Sequence, residues 1–172
     1  MKKIIAIALV AYCLISTHIS AQNSLGLNLG MYKPGVKGSD AQLGGQVSFK
    51  HNVSDQVRIG GNLGYYSSST ELLGLKFTSS TMPITALFEY SFSDATFSPY
   101  AGADLGVYRF GSKTSNGIST SSSFLGFAPV AGANYEVSDN LALNLNVKYH
   151  VIFNNGGNSS AIGVNVGGII LF

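Results

Sequence analysis

After Gln22 the chain alternates between apolar residues and small or polar ones along most of its length. A period of two places one set on each face of a β-strand. The pattern is cleanest after Ser160, where Ile162, Val164, Val166, Ile170 and Phe172 fall on one face with Gly168 as the gap. Gly163, Asn165 and Gly167 fall on the other, which turns apolar only at Ile169 and Leu171. The alternation continues to Phe172 itself.

Seven further runs repeat the scheme, so the pattern predicts eight strands. The first, near Ser24 to Tyr32, sets Leu25, Leu27, Leu29 and Met31 against Gly26, Asn28 and Gly30. The second, near Ala41 to His51, sets Leu43, Val47 and Phe49 against Gln42, Gln46, Ser48 and Lys50, and the third, near Gln56 to Tyr66, sets Val57, Ile59, Leu63 and Tyr65 against Arg58, Asn62 and Gly64. In the fourth, near Lys76 to Phe92, Ile84, Ala86, Phe88, Tyr90 and Phe92 oppose Thr85 and Glu89, with Leu87 as the exception. The fifth, near Phe97 to Phe110, opposes Ala101, Ala103, Leu105 and Val107 to Tyr100, Gly102, Asp104 and Gly106. The sixth, near Ser123 to Val137, opposes Leu125, Phe127, Ala131, Ala133 and Tyr135 to Gly126, Gly132, Asn134 and Glu136. The seventh, Leu141 to Val151, carries Asn144, Asn146, Lys148 and His150 on its polar face.

The connections alternate in length. Asn52 to Asp55, Ser93 to Thr96 and Ser138 to Asn140 read as tight turns. Lys33 to Asp40, Ser67 to Leu75, Gly111 to Ser122 and Asn154 to Ser160 read as long polar loops. Pro83, Pro99 and Pro129 each remove a ladder donor, so bulges or strand ends are expected there.

The start of the chain has another character. Lys2 and Lys3 precede an apolar run from Ile4 to Ile15, and Ser16 to Ala21 supply small residues before Gln22. This is the layout of a secretory leader cleaved after Ala21, with a core too short for a spanning helix. The domains expected are therefore a signal peptide over 1–21 and one barrel domain over 22–172. Acylation at Cys13 is disfavoured by the bulky Tyr12 before it. Lys2, Lys3 and the single cysteine leave with the leader, so eight Lys and Arg balance eight Asp and Glu, and nothing calls for a nucleic-acid partner. Charged residues are only 10% of the chain, against about a quarter in soluble domains.

Low charge, abundant glycine and the lack of a helical apolar run point to an all-β fold: an eight-stranded antiparallel up-and-down transmembrane barrel. In hydrocarbon every backbone N–H and C=O needs an internal partner, and closure supplies it. Inward glycines such as Gly26, Gly30, Gly44, Gly126 and Gly132 suit a narrow lumen. Tyr32, Tyr65, Tyr90, Phe92, Tyr135, Tyr149 and Phe172 are expected in two interfacial girdles. Periodicity alone does not say which face is outside, so a soluble lipocalin-like barrel with an apolar ligand is the alternative.

Pro83-Ile84 through Phe88-Glu89-Tyr90-Ser91-Phe92, Pro99-Tyr100-Ala101-Gly102-Ala103 with Gly106, and Phe172 resemble the small outer-membrane β-barrel proteins of Gram-negative bacteria. The Ala21-Gln22 junction looks like leaders common among Bacteroidota. The resemblance covers all of 22–172 and implies the cell outer membrane as location, with outer-membrane lipid and lipopolysaccharide as surroundings. It also implies that Phe172 is the signal read by the barrel-assembly machinery. The family shares one architecture and many roles, so the expectation is a structural or surface-interaction role.

The candidate chemistry lies in the inward charges. Arg58, Glu89, Asp104, Glu136 and Lys148 are expected to form ion pairs filling a closed interior, with Lys50 and His150 also inward and Arg58 pairing with Glu89. A lipid-modifying enzyme would need Ser, His and an acid together on the outward face, but His150 phases inward and His51 sits at a turn. No catalysis and no cofactor are expected. After the leader is removed, two distant histidines without cysteine make no metal set. No loop residue identifies a surface partner.

Overall fold

The structure is a computed structural model and describes residues 23–172 except 73 and 155. The leader read over 1–21, with Cys13, lies outside the described residues. The described elements are eight strands: β1 (Asn23–Pro34), β2 (Gln42–Asn52), β3 (Val57–Leu72), β4 (Leu75–Ser91), β5 (Phe97–Thr114), β6 (Ser119–Ser138), β7 (Leu141–Asn154) and β8 (Gly157–Leu171). Each pairs antiparallel with the next in sequence, and β1 pairs with β8 from Ser24↔Leu171 to Pro34↔Ala161. The sheet is thus a closed barrel. Two backbone hydrogen bonds, Asn23 N to Phe172 O and Phe172 N to Asn23 O, both 2.9 Å, finish the seam.

Closure explains how so apolar a set of strands avoids an exposed edge. The polarity of the two faces decides between the two barrel types. Leu29 is 73% exposed and Leu43 69%, and Leu27, Leu63, Leu105, Leu125, Leu145 and Val166 stand out beside them. Gln46, Asn62, Glu89, Asp104, Asn146, Lys148 and Asn165 are buried within. A lipocalin-like barrel carries the reverse arrangement. Exposed Tyr90, Phe92, Tyr135 and Phe172 ring the short-turn end, and Tyr65, Tyr149 and Phe153 form a second outward set farther along the wall.

Four expectations are corrected. Tyr32 belongs to no girdle: it is buried in the lumen beside Tyr66, because its position continues the inward phase of Asn28 and Gly30. Three of the four expected long loops are strand. β3 and β4 pair up to Leu72↔Leu75, β5 and β6 pair up to Lys113↔Ser119, and β7 and β8 pair up to Asn154↔Gly157. Their Ser and Thr residues alternate and bond across the ladder, as Ser69 and Thr78 do at 2.9 Å. Gly74 and Gly117, with φ of 75° and 93°, then turn the chain where L side chains are strained. Only the β1–β2 connection stays a true loop. The third correction concerns the prolines. Bridging to β3 is interrupted beside Pro83, between Leu63↔Ile84 and Tyr66↔Thr81, but the register resumes unchanged. The same holds beside Pro129, between Phe127↔Val151 and Val130↔Lys148. Among the described residues the one register shift lies between Glu136 and Ser138. Pro83 and Pro129 each remove a donor toward one neighbour while the ladder to the other neighbour stays continuous, whereas Pro99 does stand at a strand end, one residue beyond the last β4–β5 pair, Ser91↔Tyr100. The fourth correction, the place of Glu136, belongs with the interior charges.

The long hairpins make the barrel tall on one side. β6 has 20 residues, whereas a tilted strand crosses a bilayer with about 9–11. The excess stands beyond the membrane at the end opposite the short turns.

Candidate functional site

The lumen is filled in three tiers. Nearest the short turns, Lys50 Nζ donates to both carboxylate oxygens of Glu89, at 2.8 and 2.9 Å. Arg58 is the direct ladder partner of Glu89, and its Nε lies 3.6 Å from Oε2. Both cations sit over the ring of Tyr100, each 5.3 Å from its centroid. Backbone spacing makes this geometry accessible. Lys50 stands opposite Gly60, where a Cβ would come within 2.9 Å of the Lys50 Cα, so the missing side chain lets the lysine stem cross β3 toward β4.

In the middle tier Lys148 Nζ donates to Asp104 Oδ2 at 2.7 Å and to Gln46 Oε1 at 3.2 Å. Asn62 Nδ2 donates to the same Asp104 oxygen at 2.9 Å. Buried charges are tolerable only when well paired: Asp104 adds the Asn62 hydrogen bond to its lysine, and Glu89 is held by both hydrogen bonds of Lys50 with Arg58 as a second cation.

The third tier is aromatic. Tyr32, Tyr66, Tyr108 and His150 close the lumen toward the long hairpins. The His150 ring lies 5.1 Å from that of Tyr32 and 5.5 Å from that of Tyr108, and its Nδ1 is 2.9 Å from the Tyr108 hydroxyl. A ladder of amides joins the tiers. Tyr66 donates to Asn165 Oδ1 at 2.6 Å, Asn165 to Asn146 at 3.1 Å, Asn146 to Asn144 at 2.7 Å, and Asn144 to Asn134 at 2.7 Å and to Tyr100 at 3.0 Å. Alternation places Asn134, Asn144, Asn146, Asn165 and Tyr100 inward but does not show that they touch one another or Tyr66.

The expected charges therefore divide. Glu89 has Lys50 as its close partner and Arg58 as a longer one, and Asp104 has Lys148. Glu136 is not part of the buried set. It is exposed at the short-turn mouth and enters none of the ion pairs found among the described residues, because the register shift beside it marks the end of the regular wall. Among the described residues no cluster of three His, Cys, Asp or Glu side chains is arranged to hold a metal ion.

Above the aromatic tier the barrel opens into a cup. Its walls are hydroxyl-rich, with Ser39, Ser68, Thr70, Ser79, Ser112, Thr120 and Ser122 around Phe77 and Phe110, and its volume is about 520 Å³. A smaller recess of about 250 Å³ lies against Tyr32, Gln42, Thr81, Phe124 and Ile152 and shares Pro34, Gln42 and Phe110 with the cup.

The sequence model of the outer membrane protein beta-barrel domain family matches residues 5–169. The chain belongs to this family. As an outer membrane β-barrel protein it resides in the cell outer membrane, with its apolar wall against lipid. No curated protein sequence matches it. Solved structures share its fold at low identity. Neisserial surface protein A aligns with a TM-score of 0.74 at 19% identity, covering 90% of this chain and 100% of its own. Ail, the attachment invasion locus protein of Yersinia pestis, solved in complex with the heparin analogue sucrose octasulfate, aligns with a TM-score of 0.62 at 16% identity, covering 87% and 96%. OprG of Pseudomonas aeruginosa aligns with a TM-score of 0.58 at 14% identity, covering 90% and 97%. At these identities the likeness is one of fold.

Proposed function

We propose that this outer membrane β-barrel protein works as a closed, non-catalytic barrel that acts through its outer surface. The observation that carries the reading is the three-tier plug, in which buried ion pairs, an amide ladder and packed tyrosines occupy the lumen. An eight-stranded lumen is just wide enough for side chains to fill, and here they hold one another in place. With the interior below the aromatic tier committed to packing, the surfaces left for other molecules are the lipid belt, the projecting hairpins and the cup they enclose.

Short turns face the periplasm in barrels of this class, which sets the β3–β4 and β5–β6 hairpins outside the cell. Lipopolysaccharide and lipid surround the belt. Residues 1–21 act as the leader for export. Phe172, whose exposed ring stands at the β1–β8 seam, is the group that the barrel-assembly machinery reads. The buried pairs Lys50–Glu89 and Lys148–Asp104 serve structure and not transport.

Conductance across a planar lipid bilayer tests the closed interior. The refolded protein is expected to give no sustained unit steps above baseline. Steady ion-selective steps that disappear in Lys148→Met would make the interior charges a path and overturn the reading.

A further inference from the structure

The recess above the aromatic tier carries a feature that plugging does not explain. Gln42 Oε1, Thr81 Oγ1 and Asn154 Oδ1 are buried and have no hydrogen-bond partner among the described residues. Thr81 is 0% exposed and Gln42 5%. All three residues line the recess of about 250 Å³, and the rest of its wall is largely apolar, with Tyr32, Phe110, Phe124 and Ile152. The Phe110 and Phe124 rings lie 6.2 Å apart at 47°. Asn154 already uses its amide nitrogen, which donates to Ser159 Oγ at 2.6 Å, so its free oxygen still needs a donor.

The charge around the recess narrows the ligand. Neither the recess nor the cup above it is lined by Lys, Arg or Glu. The acid at the cup, Asp40, already accepts a hydrogen bond from Thr70 at 2.5 Å. Lys33, Arg109 and Lys113 stand outside these linings, so an anion in the recess finds no counter-charge on its walls, and a purely apolar molecule leaves three buried oxygens unpaired. What fits has C–H groups on one face and hydroxyls along its edge, each able to donate and accept.

We propose that this outer recess is a binding site for one neutral sugar ring, its apolar face on Phe110 and Phe124 and its hydroxyls on Gln42, Thr81 and Asn154. The wider cup continues the site with hydroxyl side chains, so a ring that enters keeps polar company on the solvent side. Together the two spaces fall in the range of about 300–1,000 Å³ usual for small-ligand pockets. A site built to bond hydroxyls rejects analogues lacking them, which gives the discrimination the test reads. The proposal rests on the outer-membrane placement, which turns this end toward the cell's surroundings.

The test uses the refolded barrel in phosphocholine nanodiscs, free of glycosidic detergent, and saturation-transfer NMR. The probes are glucose, galactose, mannose and N-acetylglucosamine, with glucuronate and hexanol as controls, and the heat-dependent gel shift is recorded on the same samples. At least one neutral sugar is expected to receive saturation while both controls do not. Thr81→Val, which keeps the side-chain shape, is expected to weaken that binding at least tenfold with the gel shift intact, and Phe124→Leu is expected to do the same. No transfer to any neutral sugar from a barrel that shifts normally overturns the sugar site and leaves the barrel reading standing. Binding of hexanol with no effect of Thr81→Val also overturns it. A protein that shows no gel shift takes down the barrel reading first, and the sugar site with it.

Discussion

Lys50 and Glu89 stand on strands that are not neighbours, β2 and β4, and yet the lysine reaches both carboxylate oxygens, at 2.8 and 2.9 Å. It does so across Gly60 of the intervening strand. Glu89 thus holds the charge of two cations, since Arg58 lies 3.6 Å away on the other side. Removing the carboxylate leaves buried Lys50 and half-buried Arg58 side by side without their counter-charge. Glu89→Gln is expected to cost about 3–5 kcal/mol, the range for a broken buried pair. Arg58→Ala is expected to cost less, because its contact is longer and Lys50 remains. Denaturant unfolding of the refolded protein measures both, and an Arg58→Ala loss equal to that of Glu89→Gln would contradict the assignment of Lys50 as the principal partner.

The interior tyrosines need glycine seats. A Cβ at Gly132 would lie 2.6 Å from Tyr100 Cζ and 2.6 Å from the Leu145 carbonyl oxygen, which is backbone and cannot swing away. Gly168 points outward, and nothing approaches its Cβ position closer than 4.0 Å. Gly132→Val is therefore expected to destabilise by about 1–3 kcal/mol, as overpacking does. Gly168→Val is expected to change stability little. Melting temperatures of the two variants, read side by side, check the contrast.

Leu145 lies near the middle of β7 on the outward face, 54% exposed, with Ala133 and Val166 as ladder neighbours. Leu145→Arg is expected to cost about 2–4 kcal/mol in a bilayer, the range for an arginine at the midplane of a barrel wall. The same change at Ser121, exposed on the β5–β6 hairpin, is expected to cost close to nothing. Folding into lipid vesicles, followed by gel shift against denaturant, separates the two positions.

Residues 115–123 are all exposed, and the hairpin tip they form turns at Gly117. Replacing residues 113–120 with a short glycine-containing turn is expected to leave the melting temperature unchanged. A large loss would show that the projecting hairpin supports the membrane-embedded wall.

Much of this architecture was legible in the chain, and the parts that were not have physical reasons. Strand number and facing follow from a period of two that the bilayer enforces on every strand, so even the exceptions Leu87 and Ile169 fall inside, where they are buried. Hairpin ends do not show in the sequence because Ser and Thr serve loops and strands alike, and only cross-strand pairing, as between Ser69 and Thr78, makes them strand. The place of Tyr32 is ambiguous by residue type because a tyrosine near a strand end suits an interface as well as a lumen, and only its phase with Asn28 separates the two. The partner of Glu89 was hidden for a different reason. Alternation identifies Arg58 as facing the lumen close by, but the reach of Lys50 over Gly60 depends on the shape of the closed wall. The recess at Gln42, Thr81 and Asn154 joins residues from three separate strands and leaves no mark along any one of them.

The most direct test of the closed outer-membrane barrel is heat-modifiability on a gel, run on the outer-membrane fraction with and without boiling. The account predicts a compact band in that fraction that shifts only after boiling, because the seam from Ser24↔Leu171 to Pro34↔Ala161 holds the cylinder shut until it is melted. A single unshifted band in the soluble periplasmic fraction would contradict it.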